Sequence, residues 1–222
     1  MKISGLDLSI QSSGIVIETL NDNLEVIDVE HHAFTSVKKL TNDTIYHYNK
    51  KDYSHPYELY LFFSNKILSL CEDCEYIAIE DYAYAAQGKI FNLAEFEGYV
   101  KLNLFNKNKK LRKYSVNSIK KFFSGYGLSD KIGMKEAFDK YNFIKPDLSY
   151  LPEVKSGKGV SPTSDIIDAF AVCEFLRKEL RLRKGIDTLH EQEEYIIECF
   201  NTITKENPKG LLVADFIKKG GV

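Results

Sequence analysis

The chain has 222 residues, 44% hydrophobic and 28% charged, with 14 Tyr, 14 Phe, no Trp and a formal net charge of −2. This length and apolar content provide for one sizeable core and argue against general disorder. The near-neutral balance excludes a uniformly basic polyanion binder, so any such contact needs positive charge gathered on one face.

Three strand-like runs come first, at residues 2–8, 14–20 and 24–34, and Asn21-Asp22-Asn23 supplies turn chemistry between the second and third. Leu24, Val26, Ile27 and Val29 alternate as in a strand with one buried face. The opening therefore reads as an antiparallel meander. Residues 35–55 are polar, rich in Lys and Tyr and poorly periodic, as expected of a functional or partly disordered loop. Pro56 opens a helix whose apolar face runs through Leu59, Phe63, Ile67 and Leu70. Residues 75–80 (EYIAIE) form a short buried strand, 92–105 a second helix, and 111–115 another strand.

Short helices at 115–123 and 130–141 flank the turn Ser124-Gly125-Tyr126-Gly127. Residues 147–163 are a Gly-, Ser-, Pro- and Lys-rich loop. A helix follows at 161–182, with Ser161 as its cap and Pro162 at its first position. Thr188 and Glu191 have the spacing of a capping box for a helix reaching about Thr204, and Asn207-Pro208 breaks it before an apolar stretch at 211–217. The order of elements implies a mixed α/β sheet covered by helices, with a main domain at 1–184 and a C-terminal helical extension at 185–222.

No run approaches the roughly 18 consecutive apolar residues of a membrane span, and the N-terminus opens on a strand rather than a signal segment. Cys71 and Cys74 have CxxC spacing, but no second pair or His partner follows, which argues against zinc. All four cysteines, with Cys173 and Cys199, read as reduced thiols of a cytoplasmic protein.

Four acids occupy positions where an ordinary domain rarely puts them. Asp7 lies in the first strand, Glu80 ends the apolar strand Tyr76-Ile77-Ala78-Ile79, and Asp165 and Asp168 share one helical face at i,i+3 spacing. Hard divalent cations take several oxygen ligands, and a pair of ions about 3.5–4 Å apart needs a shared carboxylate, a place that suits a rigid strand residue such as Asp7. Each acid alone also has a structural explanation: the helix dipole favours Asp165 and Asp168, and Asp7 or Glu80 can terminate a strand. Between Gly98 and Ser129 there is no Asp or Glu, yet Lys101, Lys107, Lys109, Lys110, Arg112, Lys113, Lys120 and Lys121 are present. Such a run is either a solvated face or a phosphate-tracking surface.

Gly5-Leu6-Asp7-Leu8-Ser9 with Ser13-Gly14-Ile15-Val16 resembles the first hairpin of RuvC-type Holliday junction resolvases, members of the RNase H-like superfamily. Ile77-Ala78-Ile79-Glu80 resembles that family's strand with its terminal Glu, and Asp165-Ile166-Ile167-Asp168-Ala169-Phe170-Ala171 its closing helix. The segment from Val116 to Lys131, with Gly125 and Gly127 between Lys120 and Lys131, is similar to the family's lysine-bearing G-x-G segment. These blocks span residues 2–182, whereas 35–55, 147–163 and the tail depart from the compact family pattern.

The resemblance implies an RNase H-like mixed five-stranded sheet flanked by helices. It also implies a homodimeric, Mg²⁺-dependent endodeoxyribonuclease (two ions per site, with Mn²⁺ as a substitute) that places paired nicks in four-way DNA junctions. Asp7, Glu80, Asp165 and Asp168 would hold the metals, Lys131 would offset phosphate charge, and Lys120 would contact the junction. Lys107, Lys109, Lys110, Arg112, Lys113 and Lys121 would join it on the DNA surface. Tyr82 or Tyr84 would stack on an opened base, and the helix with Leu93, Phe96, Gly98, Val100 and Leu104 would help form the dimer. The expected location is the cytoplasm, at the nucleoid, or the host cytoplasm for a viral protein. The other readings are a flap or RNA–DNA hybrid nuclease, a silent junction binder, and an actin-like ATPase. The last needs a Gly-rich phosphate loop, and residues 9–14 (SIQSSG) have one glycine and no lysine.

Overall fold

The computed structural model describes residues 1–81, 90–155 and 160–206. Strands β1 (Lys2–Asp7), β2 (Gly14–Leu20) and β3 (Val26–Thr35) form the antiparallel meander. The turn between β2 and β3 is pinned by Asn21, whose Oδ1 accepts from the amides of Asn23 and Glu25. The sheet has six strands in the order β4-β3-β2-β1-β5-β6, one more than the five expected. The additional strand, β4 (Ile45–His47), comes from the segment read as a loop and pairs parallel with the end of β3. Three residues are too few to show a period. Asn42 starts the strand instead, its Oδ1 accepting from the amides of Thr44 and Ile45.

Helix α1 (Pro56–Leu70) is capped by His55, with Glu58 closing a capping box, and leads through a turn into β5 (Cys74–Glu80). Next come α2 (Ile90–Asn106), β6 (Lys110–Tyr114), α3 (Val116–Ser124), α4 (Lys131–Lys140), α5 (Thr163–Arg183) and α6 (Glu194–Glu206). Ser115 and Asp130 cap α3 and α4 through bonds to the amides of Ser118 and Gly133, and Gly125 ends α3 at φ +79°. Two expected caps are absent. Pro162, rather than Ser161, directly precedes α5, and no side chain caps that end of the helix. Thr188 precedes a short 3-10 turn (Leu189–Glu191) without a side-chain bond, and α6 starts only at Glu194.

The sheet separates two apolar layers. Alternation in β1, β2 and β5 sends Leu6, Ile15, Ile17, Ile77 and Ile79 toward α1 and α2, and Ile3, Val16 and Ala78 toward α5. Helix α6 joins the α5 layer, with Cys199, Phe200 and Ile203 buried and Phe200 edge-on to Phe175 at 5.2 Å. The four cysteines are free and buried. Among the described residues no helix is long and apolar enough to cross a membrane.

Helix α5 lies unusually close to the sheet, and two glycines allow it. A Cβ at Gly5 would fall 2.2 Å from the Ala169 carbonyl oxygen, and one at Gly14 would fall 2.1 Å from that of Asp165. Any side chain at either position would push the helix away from β1 and β2.

Candidate active site

Asp7 ends β1 on the face shared by Ile3 and Gly5, and Glu80 ends β5 on the face shared by Ala78. The two strands are parallel, with Leu6 opposite Ile79, so both carboxylates emerge at the same end of the sheet and face α5. The backbone of Asp165 in the first turn of α5 rests on Gly14, which is itself the register partner of Asp7. The same helical face carries Asp168 one turn on. Thus three elements bring the four acids together.

Electrostatics reflect that convergence. Burial first, and then the charges of Glu80, Asp168 and Asp165, hold the Asp7 carboxyl well above the usual carboxylate range. Burial and Asp168 push Glu80 up to about 7, against the opposing charges of Lys131 and Lys120. Burial also raises Asp165, against hydrogen bonds from Ser12 and Ser161. Lys131, at the start of α4, forms an ion pair with Asp168. Burial opposes its charge, but Asp168 and Asp7 outweigh that and raise its pKa. Lys131, with Lys120 farther off at Glu80, thus stands against four carboxyls.

Among the described residues no three acidic, histidine or cysteine side chains are close enough to clasp an ion as they stand. The acids face one another at electrostatic range rather than as a closed ligand shell. Their chemistry nevertheless suits a hard divalent cation: all four offer oxygen, and their mutual repulsion is what a cation relieves.

The basic run is dispersed by the fold. Arg112 is 1% exposed, with Nε 2.8 Å from Glu179 Oε2 beneath α5, so it cannot reach DNA, which corrects its assignment as a contact residue. Lys101 is buried on Glu97. Lys110 pairs with Glu75, Lys113 with Asp81 and Lys121 with Glu198, while Lys109 donates to the carbonyls of Glu72 and Cys74. Acids from other elements therefore offset an asymmetry that is real only along the chain. Lys107 and Lys120 have no ion pair among the described residues. Tyr82 and Tyr84 lie outside the described residues. In α2, Phe96, Val100 and Leu104 are core residues, whereas Phe91, Leu102 and Phe105 are exposed.

Sequence reasoning missed Ser12 and Tyr48. Ser12 Oγ lies 2.5 Å from Asp165 Oδ2 and 2.9 Å from the Phe34 carbonyl oxygen. The Tyr48 hydroxyl lies within donor reach of the carbonyls of Ile10 and Gln11, and burial followed by the charge of Asp165 pushes it up to about 12. Nothing in the aperiodic segment around Tyr48 signals this role. The small residues before Gly14 hint at a close approach but not at its partner.

Neither a family model nor a curated relative matches the sequence. Among solved structures, the chain is similar to Thermus thermophilus RuvC in complex with Holliday junction substrate, with a TM-score of 0.53 at 15% identity over 83% of this chain and 96% of that one. It is also similar to the yeast mitochondrial Holliday junction resolvase Ydc2, with a TM-score of 0.56 at 15% identity over 90% of this chain and 83% of that one. At such identities the likeness is one of fold, an RNase H-like α/β architecture.

Proposed function

We propose that this protein is a structure-selective endodeoxyribonuclease that resolves four-way DNA junctions by paired symmetric nicks. The observation that carries the reading is the meeting of Asp7, Glu80, Asp165 and Asp168, where burial and neighbouring carboxylates raise the proton affinity of Asp7 and Glu80, with Lys131 as an adjacent cation. The shared fold supports it, since the Thermus thermophilus protein was solved with a Holliday junction.

Asp7, Glu80, Asp165 and Asp168 would together hold the metal through their carboxylate oxygens. Bound Mg²⁺ would supply Lewis-acid activation of the attacking water and stabilisation of the leaving 3′ oxygen. Lys131 leaves its pairing with Asp168 to meet the scissile phosphate, where its charge offsets that of the transition state. Lys120, already felt by Glu80, contacts the adjacent backbone. Lys107, Lys109, Lys110, Lys113 and Lys121 extend the contact. The ion pairs of Lys110, Lys113 and Lys121 are partly solvent-exposed and screened, so a phosphate can compete for these ammonium groups. Tyr82 or Tyr84 stacks at the opened junction.

Paired nicks need two active sites, hence a homodimer. Phe91, Gly98, Leu102 and Phe105 recur at spacings of seven, four and three along the outer face of α2, and a Cβ at Gly98 would meet nothing within 4 Å. That stripe suits a second copy.

Purified protein with Mg²⁺ on four-way, forked, RNA–DNA hybrid and linear duplex substrates tests the reading. Paired symmetric nicks confined to the four-way substrate are expected. Preference for the fork or hybrid would assign a different nuclease of this fold, and binding without cleavage would leave a silent binder.

A further inference from the structure

Two residues outside the acidic set form a continuous path to it. Tyr48 follows β4, and its amide donates to the Thr35 carbonyl at 3.0 Å, which anchors it beside the end of β3. Its ring packs edge-on to Phe63 of α1, 4.9 Å between centroids. From there the hydroxyl reaches the carbonyls of Ile10 and Gln11 in the turn between β1 and β2. The next residue of that turn is Ser12, whose Oγ meets Asp165 Oδ2.

A hydroxyl has one proton and can serve one acceptor at a time. Of its two neighbours the Asp165 oxygen is nearer, at 2.5 Å against 2.9 Å for the Phe34 carbonyl, in the range of a charge-assisted bond to a carboxylate. Ser12 is 6% exposed and Tyr48 3%, so both are held by packing as well as by hydrogen bonds. A carboxylate with one oxygen tied to a buried hydroxyl has its rotamer fixed before any ligand arrives.

We infer that Ser12 and Tyr48 are positioning residues for the metal site, with residues 45–48 serving as a strut that locks the β1–β2 turn and, through Ser12, orients Asp165. The inference rests on the metal-dependent reading above and deepens it. On this view the segment 35–55 serves to pre-set one metal ligand from across the sheet. Hydrogen-bonding partners of metal ligands typically contribute about 10–100-fold in metal affinity.

Mn²⁺ binding by the full chain, followed without DNA as loss of the free-ion electron paramagnetic resonance signal, tests the strut. Ser12→Ala is expected to weaken binding about tenfold and Tyr48→Phe about threefold. The double variant should be no weaker than Ser12→Ala alone, because both act along one path. In cleavage assays the Mg²⁺ concentration for half-maximal rate should rise in the same order, with the half-saturating DNA concentration unchanged. A purely structural role would lower the melting midpoint without separating these two constants. Unchanged Mn²⁺ affinity in both single variants, or fully additive losses, would overturn the inference while leaving the metal site intact. No Mn²⁺ binding by the wild type would overturn the metal reading and this inference with it.

Discussion

The two ends of α5 both bury acids, and they treat them in opposite ways. Toward the C-terminal end, Glu179 is fully buried, yet it accepts from Arg112 Nε at 2.8 Å, from the Tyr114 hydroxyl at 2.5 Å and from Arg183 at 2.7 and 2.9 Å. At the N-terminal end, Asp165 and Asp168 meet Asp7 and Glu80 with Lys131 as the adjacent cation, and burial and repulsion drive Asp7 and Glu80 toward protonation. A structural buried charge comes with its partners, because leaving it without them costs several kcal/mol. A buried cluster with too few of them is unfavourable by itself and persists where a ligand completes it.

The largest effect should come from Asp7→Asn. Cleavage of a four-way junction with Mg²⁺ should fall by about 10⁴-fold, the scale on which single catalytic groups act, while junction binding in a gel-shift assay is retained. The metal-free melting midpoint should hold or rise, since the amide needs no proton to be neutral where burial and repulsion disfavour a carboxylate. A fall would mean that the N-terminal cluster is compensated after all. Glu179→Ala should do the reverse, costing about 3–5 kcal/mol in denaturant unfolding because the buried Arg112 loses its carboxylate partner, with activity per folded molecule kept.

Lys131→Ala should slow cleavage by about 100-fold, the scale of one lost transition-state donor. Junction affinity should change less, and equal losses in both would make Lys131 a contact residue only. Gly14→Ala should cost about 1–3 kcal/mol by overpacking, since the new Cβ would lie 2.1 Å from the Asp165 carbonyl oxygen. Unlike Glu179→Ala, it should also impair cleavage by the remaining folded protein, because it displaces a ligand-bearing turn.

Glu18 is an intermediate case and the smallest test. Among the described residues neither of its oxygens has a hydrogen-bond partner of ordinary geometry, Arg177 stands 3.7 Å away, and burial followed by Glu174 raises its carboxyl well above the ordinary 4.5. The folded state therefore holds the Glu18 proton more tightly than the unfolded chain does. Its contribution is most favourable below about pH 4.5 and is lost as pH rises from there. Glu18→Gln should then gain melting temperature over the wild type at pH 8 but not at pH 4.5. An equal difference at both values would show that Glu18 is not held protonated.

Much of this organisation is legible in the sequence because it is local. The strand positions, the helices that start near Ser115 and Asp130, and the acids at strand ends and one helical face each follow from a short run of residues. What is not legible depends on long-range pairing. β4 has three residues and no period of its own, so only β3 reveals it. Arg112 reads as a surface cation because Glu179, its partner, is 67 positions away. Ser12 lies 153 positions from Asp165, and no spacing rule reaches that far. The acids can be picked out one by one, whereas the shortage of cations around them emerges only in three dimensions.

The contrast between the two ends of α5 is best tested by calorimetric titration of metal-free protein with Mn²⁺, comparing the wild type with Asp7→Asn and Glu179→Gln. Saturable binding is expected in the wild type and in folded Glu179→Gln, and none in Asp7→Asn. Equal binding by Asp7→Asn and the wild type, or none by either, would contradict a metal site built on the uncompensated acids.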